Sequence, residues 1–181
     1  MKRPGKIIAL HLNYPSRIAQ RGRRPRRPSY FLKPPSSFAE SGGVIERPPG
    51  TELLAFEGEI ALVIGTTARR VPPERGWSHV AAVTAANDFG LHDLRVVDRG
   101  SNLRAKGGDG FTPLGPAPIP AADVEPAALR VRTWVNGRLA QYLCKGWWAQ
   151  PCLRKFQRCI VHFFITGYKG AYAAAAGAVA L

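Results

Sequence analysis

The run Phe56-Glu-Gly-Glu-Ile-Ala-Leu-Val-Ile-Gly65 places two carboxylates two residues apart inside a segment that otherwise reads as a buried strand. Strand side chains alternate faces, so Glu57 and Glu59 project together while Phe56, Ile60, Leu62 and Ile64 fill the other side. Two like charges so close repel. Unless one takes up a proton, the simplest remedy is a hard cation held by oxygen ligands, with a third acid from elsewhere in the chain. Asp88 lies where the apolar stretch Ser78 to Ala86 gives way to a loop, and is the candidate third ligand; a helix-cap or turn aspartate is the competing reading. Lys106 opens the glycine-rich Lys106-Gly-Gly-Asp-Gly110 and could set its ammonium against an anionic intermediate. That loop is not a P-loop, because the ordered glycines and the Lys-Ser/Thr pair are missing.

Several elements must position these groups. Lys6 to Asn13 reads as a short buried strand entering a polar turn, and Tyr30 to Lys33 as a strand stopped by Pro34 and Pro35. Glu52 to Ile64 is the central strand, and the alanine-rich Ser78 to Ala86 is expected to be helical. Leu129 to Leu139 alternates as a strand and carries Asn136-Gly137, a hairpin signal. His11 alternates out of an apolar face and reads as a locally hydrogen-bonded structural residue. Lys33, at a strand end, is either a solvated charge or a partner for a carboxylate. The pattern is a β-rich α+β domain.

At 181 residues with 45% hydrophobic content, one domain is the default. The net charge of +14, from 26 basic and 12 acidic residues, first suggests a polyanionic partner. Its distribution weakens that inference: no acid precedes Glu40 or follows Glu125, and arginines crowd into Arg17, Arg21, Arg23, Arg24, Arg26 and Arg27. A Pro- and Gly-broken arginine run reads as a solvated loop, or as a trap for small anions, before it reads as a nucleic-acid site. No apolar run approaches the roughly 20 residues that span a bilayer, so a cytoplasmic protein with no membrane partner is expected. Cys144, Cys152 and Cys159 have neither zinc-ribbon spacing nor an even count.

Taken together, Tyr30-Phe-Leu-Lys-Pro-Pro-Ser-Ser37, Phe56 to Gly65, Ala86-Asn-Asp88, Lys106-Gly-Gly-Asp-Gly-Phe-Thr-Pro-Leu-Gly-Pro116 and Val135-Asn-Gly137 resemble the fumarylacetoacetate hydrolase family over about residues 6 to 141. The unbroken run Asn102 to Pro116 is most similar to the homoprotocatechuate-pathway branch, which isomerises 2-hydroxyhepta-2,4-diene-1,7-dioate or decarboxylates its precursor. The resemblance implies a β-roll or mixed β-sandwich whose Mg2+ or Mn2+ is held by Glu57, Glu59 and Asp88. It implies Lys106 as the catalytic lysine, and Lys33, Asn13, Tyr14, Arg95 and Asp109 around a small 2-oxo dicarboxylate substrate. A homodimer is implied for a complete fold. The implied reaction is isomerisation or decarboxylation through a metal-stabilised enolate. The alternatives are an acylpyruvate or fumarylpyruvate-type C–C hydrolase, and an inactive, anion-binding remnant.

Two departures from the family pattern bear on this. Many hydrolytic and decarboxylating members carry a His and a Glu, four and seven residues beyond the asparagine of the Asn-Tyr motif, to activate water. Here those positions are Arg17 and Gln20, which lowers hydrolysis and leaves isomerisation or enol–keto proton transfer ahead. After Gln141 the family continues toward a Gly-Asp-x-Ile-x-Thr-Gly-Thr-Pro strand and turn, whereas this chain carries a basic, Cys/Trp-rich and then Ala-rich tail over 142–181. The expectation is therefore a catalytic domain over 1–141, C-terminally incomplete, with a replaced or frame-altered tail. Ile165-Thr166-Gly167 echoes the lost threonine motif, but three residues are too few to carry weight.

Overall fold

The computed structural model describes residues 3–23, 26, 29–144, 164–166 and 179–180. Most of the expected tail, with its remaining tryptophans and cysteines, and part of the arginine run lie outside the described residues. No helix among those described is long and apolar enough to cross a membrane.

β1 (Ile7–Leu10) and β2 (Tyr30–Lys33) pair antiparallel. Between them lies α1 (Pro15–Arg21), which the polar turn signals had hidden. It opens on Pro15, whose fixed φ suits a first helical position, and stops at Gly22, which takes a left-handed φ of +62°. β3 (Phe38–Glu40) follows. The expected long strand from Glu52 is two pieces: β4 (Leu54–Ala55) and β5 (Gly58–Ile64), with Phe56 and Glu57 between them.

Ser78 to Ala86 is not an α-helix: Ser78 and His79 end a single 3-10 turn and the rest is strand. Its alanines lie in β6 (Val80–Asn87), which pairs antiparallel with the whole of β5. Alanine favours helix in isolation, but here small side chains meet close neighbours: a Cβ added at Gly65 would stand 2.5 Å from the Cβ of Ala81. β7 (Gly90–Leu91) pairs with β4. α2 (Leu103–Lys106) precedes β8 (Thr112–Leu114) and β9 (Ile119–Pro120), both antiparallel to β6, and β3 runs parallel to β8. β10 (Arg130–Val135) and β11 (Arg138–Cys144) form the hairpin that Asn136-Gly137 announces, with φ of +50° and +76° at those two residues. β11 runs through Gln141 without a break. β12 (Phe164–Thr166) lies parallel to β5, so the short echo at Ile165 and Thr166 does form a strand, and β13 (Val179–Ala180) pairs with β10.

β5 is buried on both faces and divides two cores. Ile60, Leu62 and Ile64 pack with Val80, Val83, Val131 and Leu143 toward the β10–β11 hairpin. Ala61 packs with Ala86, Ile7, Ala9, Phe31 and Leu114 toward β1 and β2. Glu57 and Glu59 alternate onto this second side. The architecture is a β-rich α+β sandwich.

Gly58, between the two glutamates, faces the hairpin. Both its backbone groups are taken by one side chain: its N–H donates to Gln141 Oε1 and its carbonyl accepts from Gln141 Nε2, each at 2.9 Å. A Cβ here would stand 2.0 Å from Thr133 Oγ1 and 3.3 Å from Val131 Cγ1. Gly58→Ala is therefore expected to destabilise the fold by ~2 kcal/mol, lowering Tm by ~4–8 °C, and Thr133→Ala in the same chain should restore part of the loss. Thermal melts of the three variants check this.

Candidate functional site

The register of β5 against β6 places the acids. Glu59 lies opposite Ala86 and Gly58 opposite Asn87, so Glu57 and Asp88 come next, facing each other at the end of the ladder. Asp88 N–H donates to the Glu57 carbonyl at 2.8 Å, and Glu57 N–H donates to Asn87 Oδ1 at 2.9 Å. All three carboxylates line one open pocket of about 730 Å³, together with Asn13, Tyr14, Arg17, Arg95 and Lys106.

Lys106 arrives from the other side, on the last residue of α2. That single turn is held by Asp98, whose two carboxylate oxygens accept the N–H groups of Arg104 at 3.1 Å and Ala105 at 2.6 Å. The lysine ammonium donates to Glu57 Oε2 at 2.7 Å and Asp88 Oδ2 at 2.6 Å. Burial opposes its charge, but the pull of Asp88 and Glu57 prevails and raises its pKa. Lys106 is a held cation.

Lys33 is neither a solvated charge nor a lining residue of the pocket. It is 2% exposed and lies behind Asp88, donating to Asp88 Oδ1 at 2.5 Å and to the Phe111 carbonyl at 3.0 Å. Burial lowers its pKa more than Asp88 restores it. Its contact is with the acid, which it orients. Asp109 is exposed in the glycine-rich turn and does not line the pocket. Asn13, Tyr14 and Arg95 do.

Tyr14 is buried beside Glu59. Its hydroxyl accepts from Ile60 N–H at 3.2 Å and hydrogen-bonds to Glu59. Burial and the neighbouring Glu59 charge push its pKa well up, so it stays neutral. Burial and the charge of Glu57 raise Glu59 itself from 4.5 to about 8. The Tyr14 hydroxyl and Lys106 favour its ionised form only in part, and no lysine ion pair reaches it as one reaches Glu57 and Asp88 among the described residues.

Sequence reasoning passed over several pocket residues. His11 hydrogen-bonds locally, as expected, to Ser29 Oγ at 3.1 Å and Asn102 Nδ2 at 2.6 Å, but it also lines the pocket. Phe31, tilted against His11 with ring centroids 4.8 Å apart, lines it too. Arg17, Arg21 and Arg23, from the run read above as a possible trap for small anions, line it as well. The strand alternation that sends Phe31 inward was the available signal for its neighbours.

A hard divalent cation suits this donor set by its chemistry, since every acid supplies oxygen and a cation beside Glu59 would favour its ionised form over the protonated one. As the side chains stand, Glu57 and Asp88 turn to Lys106, and no group of three acid, histidine or cysteine side chains is gathered closely enough to hold a metal among the described residues.

Residues 6–146 match the family described as Fumarylacetoacetate (FAA) hydrolase C-terminal. The chain belongs to the fumarylacetoacetate hydrolase family. Within that family it is 37% identical over 139 residues to a 4-hydroxyphenylacetate degradation bifunctional isomerase/decarboxylase of Salmonella dublin, covering 76% of this chain and 32% of that protein. It is 36% identical over 150 residues to a mitochondrial oxaloacetate tautomerase of Arabidopsis thaliana, covering 81% and 66%. Among solved structures, a 2-hydroxyhepta-2,4-diene-1,7-dioate isomerase from Mycobacterium marinum superposes with a TM-score of 0.71 at 28% identity, covering 96% of this chain and 67% of that one. The chain spans between about a third and two thirds of the curated family members it matches.

The raised Glu59 carries a pH signature. The folded chain holds a proton that the unfolded chain releases, so the stability of the metal-free protein should fall as pH rises from 4.5 to about 8. Glu59→Gln removes this titration and should flatten the profile over that window. Denaturant midpoints of both proteins at stepped pH measure the difference.

Proposed function

We propose that this chain acts on 2-oxo or 2-hydroxydienoic dicarboxylates as a Mg2+- or Mn2+-dependent isomerase or decarboxylase, through an enolate formed beside Lys106. The observation that carries the reading is the meeting of Glu57, Glu59, Asp88 and Lys106 in one pocket whose wall is rich in arginine. Glu57, Glu59 and Asp88 would hold the cation, which when bound supplies electrostatic stabilisation for negative charge developing on a 2-oxo acid.

The chain's own residues have divided tasks. Lys106, kept cationic by its two carboxylates, is a proton holder that steadies charge on the enolate oxygen. Lys33 and the Asn87 amide fix Asp88 and Glu57 from behind. Tyr14, neutral, orients Glu59. Arg95 and the arginines of the opposite wall suit an anionic substrate. Hydrolysis fits less well, because α1 presents Arg17 and Gln20, and neither accepts a proton from water at neutral pH. The names of the isomerase, decarboxylase and tautomerase relatives support the same class of enolate chemistry.

Calorimetric titration of Mg2+ and Mn2+ into the full chain tests the reading. Saturable binding is expected, weakened at least ~10-fold in Glu59→Ala, with far-UV spectra establishing that both proteins are folded. A folded wild type that takes up neither ion would end the proposal. Given binding, product analysis with 2-hydroxyhepta-2,4-diene-1,7-dioate separates isomerisation from decarboxylation.

A further inference from the structure

We propose that Arg17, held by Gln20, determines substrate specificity by taking the distal carboxylate of a 2-oxo dicarboxylate; this rests on the site reading above and deepens it. α1 is short, but its spacing matters: Arg17 and Gln20 stand three residues apart, on one side of the helix, and Arg17 Nη1 donates to Gln20 Oε1 at 2.8 Å. That bond fixes the plane of the guanidinium. Nη2 stands 3.7 Å from Glu57 Oε1, within ion-pair reach but longer than a hydrogen bond. A guanidinium has five N–H donors in a rigid fork, so these two engagements leave donor capacity for an incoming carboxylate.

Charge directs that capacity to the substrate. At the inner end, Glu57, Glu59 and Asp88 are set against Lys33 and Lys106, and the acids and lysines nearly balance. Around the rest of the pocket, Arg17, Arg21, Arg23 and Arg95 have only the long approach of Arg17 to Glu57 among the ion pairs of the described residues. A monocarboxylate seated at the acid end uses none of this positive potential. A second carboxylate, a few bonds away, uses it directly. Arg17 is the arginine best placed for this, because among the described residues it alone is both oriented by a neighbour and adjacent to the inner acids. Since a guanidinium stays protonated, the same position that could have held a base for water here holds an anchor for an anion.

The test uses the folded full chain with saturating Mg2+ and three probes in calorimetry: oxalate, which occupies the inner end alone, 2-oxohexanoate and 2-oxoadipate. The last two have the same carbon count and differ in the distal carboxylate. Wild type should bind 2-oxoadipate ~10–100-fold tighter than 2-oxohexanoate. Arg17→Ala should erase that preference while leaving oxalate affinity within about twofold, Gln20→Ala should erode it, and Arg17→Lys should keep part of it. If wild type binds oxalate but shows no preference, or if Arg17→Ala keeps the full preference, the assignment of Arg17 is overturned while the inner site stands. If oxalate itself does not bind the Mg2+-loaded protein, the site reading fails and this assignment with it.

Discussion

The site depends on one ammonium. Lys106 Nζ lies within 2.7 Å of Glu57 and 2.6 Å of Asp88, and this three-centre contact lets two carboxylates face each other at the end of a buried ladder. Without it the two acids would repel across a half-buried pocket wall where water screens them only in part. The rest of the local structure serves that contact. Asp98 winds the turn that aims the lysine, Lys33 neutralises the far side of Asp88, and Asn87 pins the Glu57 backbone. Glu59 stands outside the exchange, and burial next to Glu57 keeps a proton on it to higher pH than an ordinary carboxyl.

The site has a floor and a rim built by different rules. The floor follows from strand register: once Leu62 is opposite Val83, the pleat fixes Glu59, Glu57 and Asp88 on one side with no freedom left. The rim comes from α1 and from loops around Arg23 and Arg95, where Arg21, Arg23 and Arg95 are exposed and Arg17 is half-buried and hydrogen-bonded to Gln20. Floors of this kind tolerate little change. Rims accept substitution without disturbing the core, because their side chains pack on little besides solvent and one another.

Alternation and the resemblance made much of this legible in the sequence. The facing of Glu57 and Glu59, the place of Asp88 at an element's end and the Asn136-Gly137 hairpin all rest on short-range geometry, and each appears where such geometry puts it. What failed was environment. Ala81, Ala82, Ala85 and Ala86 suggest helix by propensity, yet they lie in β6, paired along the length of β5, and Ala81 sits where a Cβ on Gly65 would collide with it, a tertiary fact with no local trace. Lys33 was hidden by its neighbours: Tyr30 and Leu32 are large and apolar but 57% and 58% exposed, so the strand's inward face is Phe31 and Lys33, the reverse of what hydrophobicity suggests. α1 was masked by Pro15 and Gly22, turn signals that are equally the start and stop of a helix.

The Gln141 amide has a further consequence for how this chain comes together. It closes both backbone groups of Gly58 across 83 residues of sequence, in place of a neighbouring strand. As the polypeptide emerges from a ribosome, the segment bearing the two glutamates is complete long before Gln141 exists, and must wait with those peptide groups on water. Closing so long a loop is entropically slow, and the reward is non-local. The acids are thus written early and locked late, and nascent chains that stop short of the hairpin would carry the whole carboxylate motif without the stitch that sets its geometry.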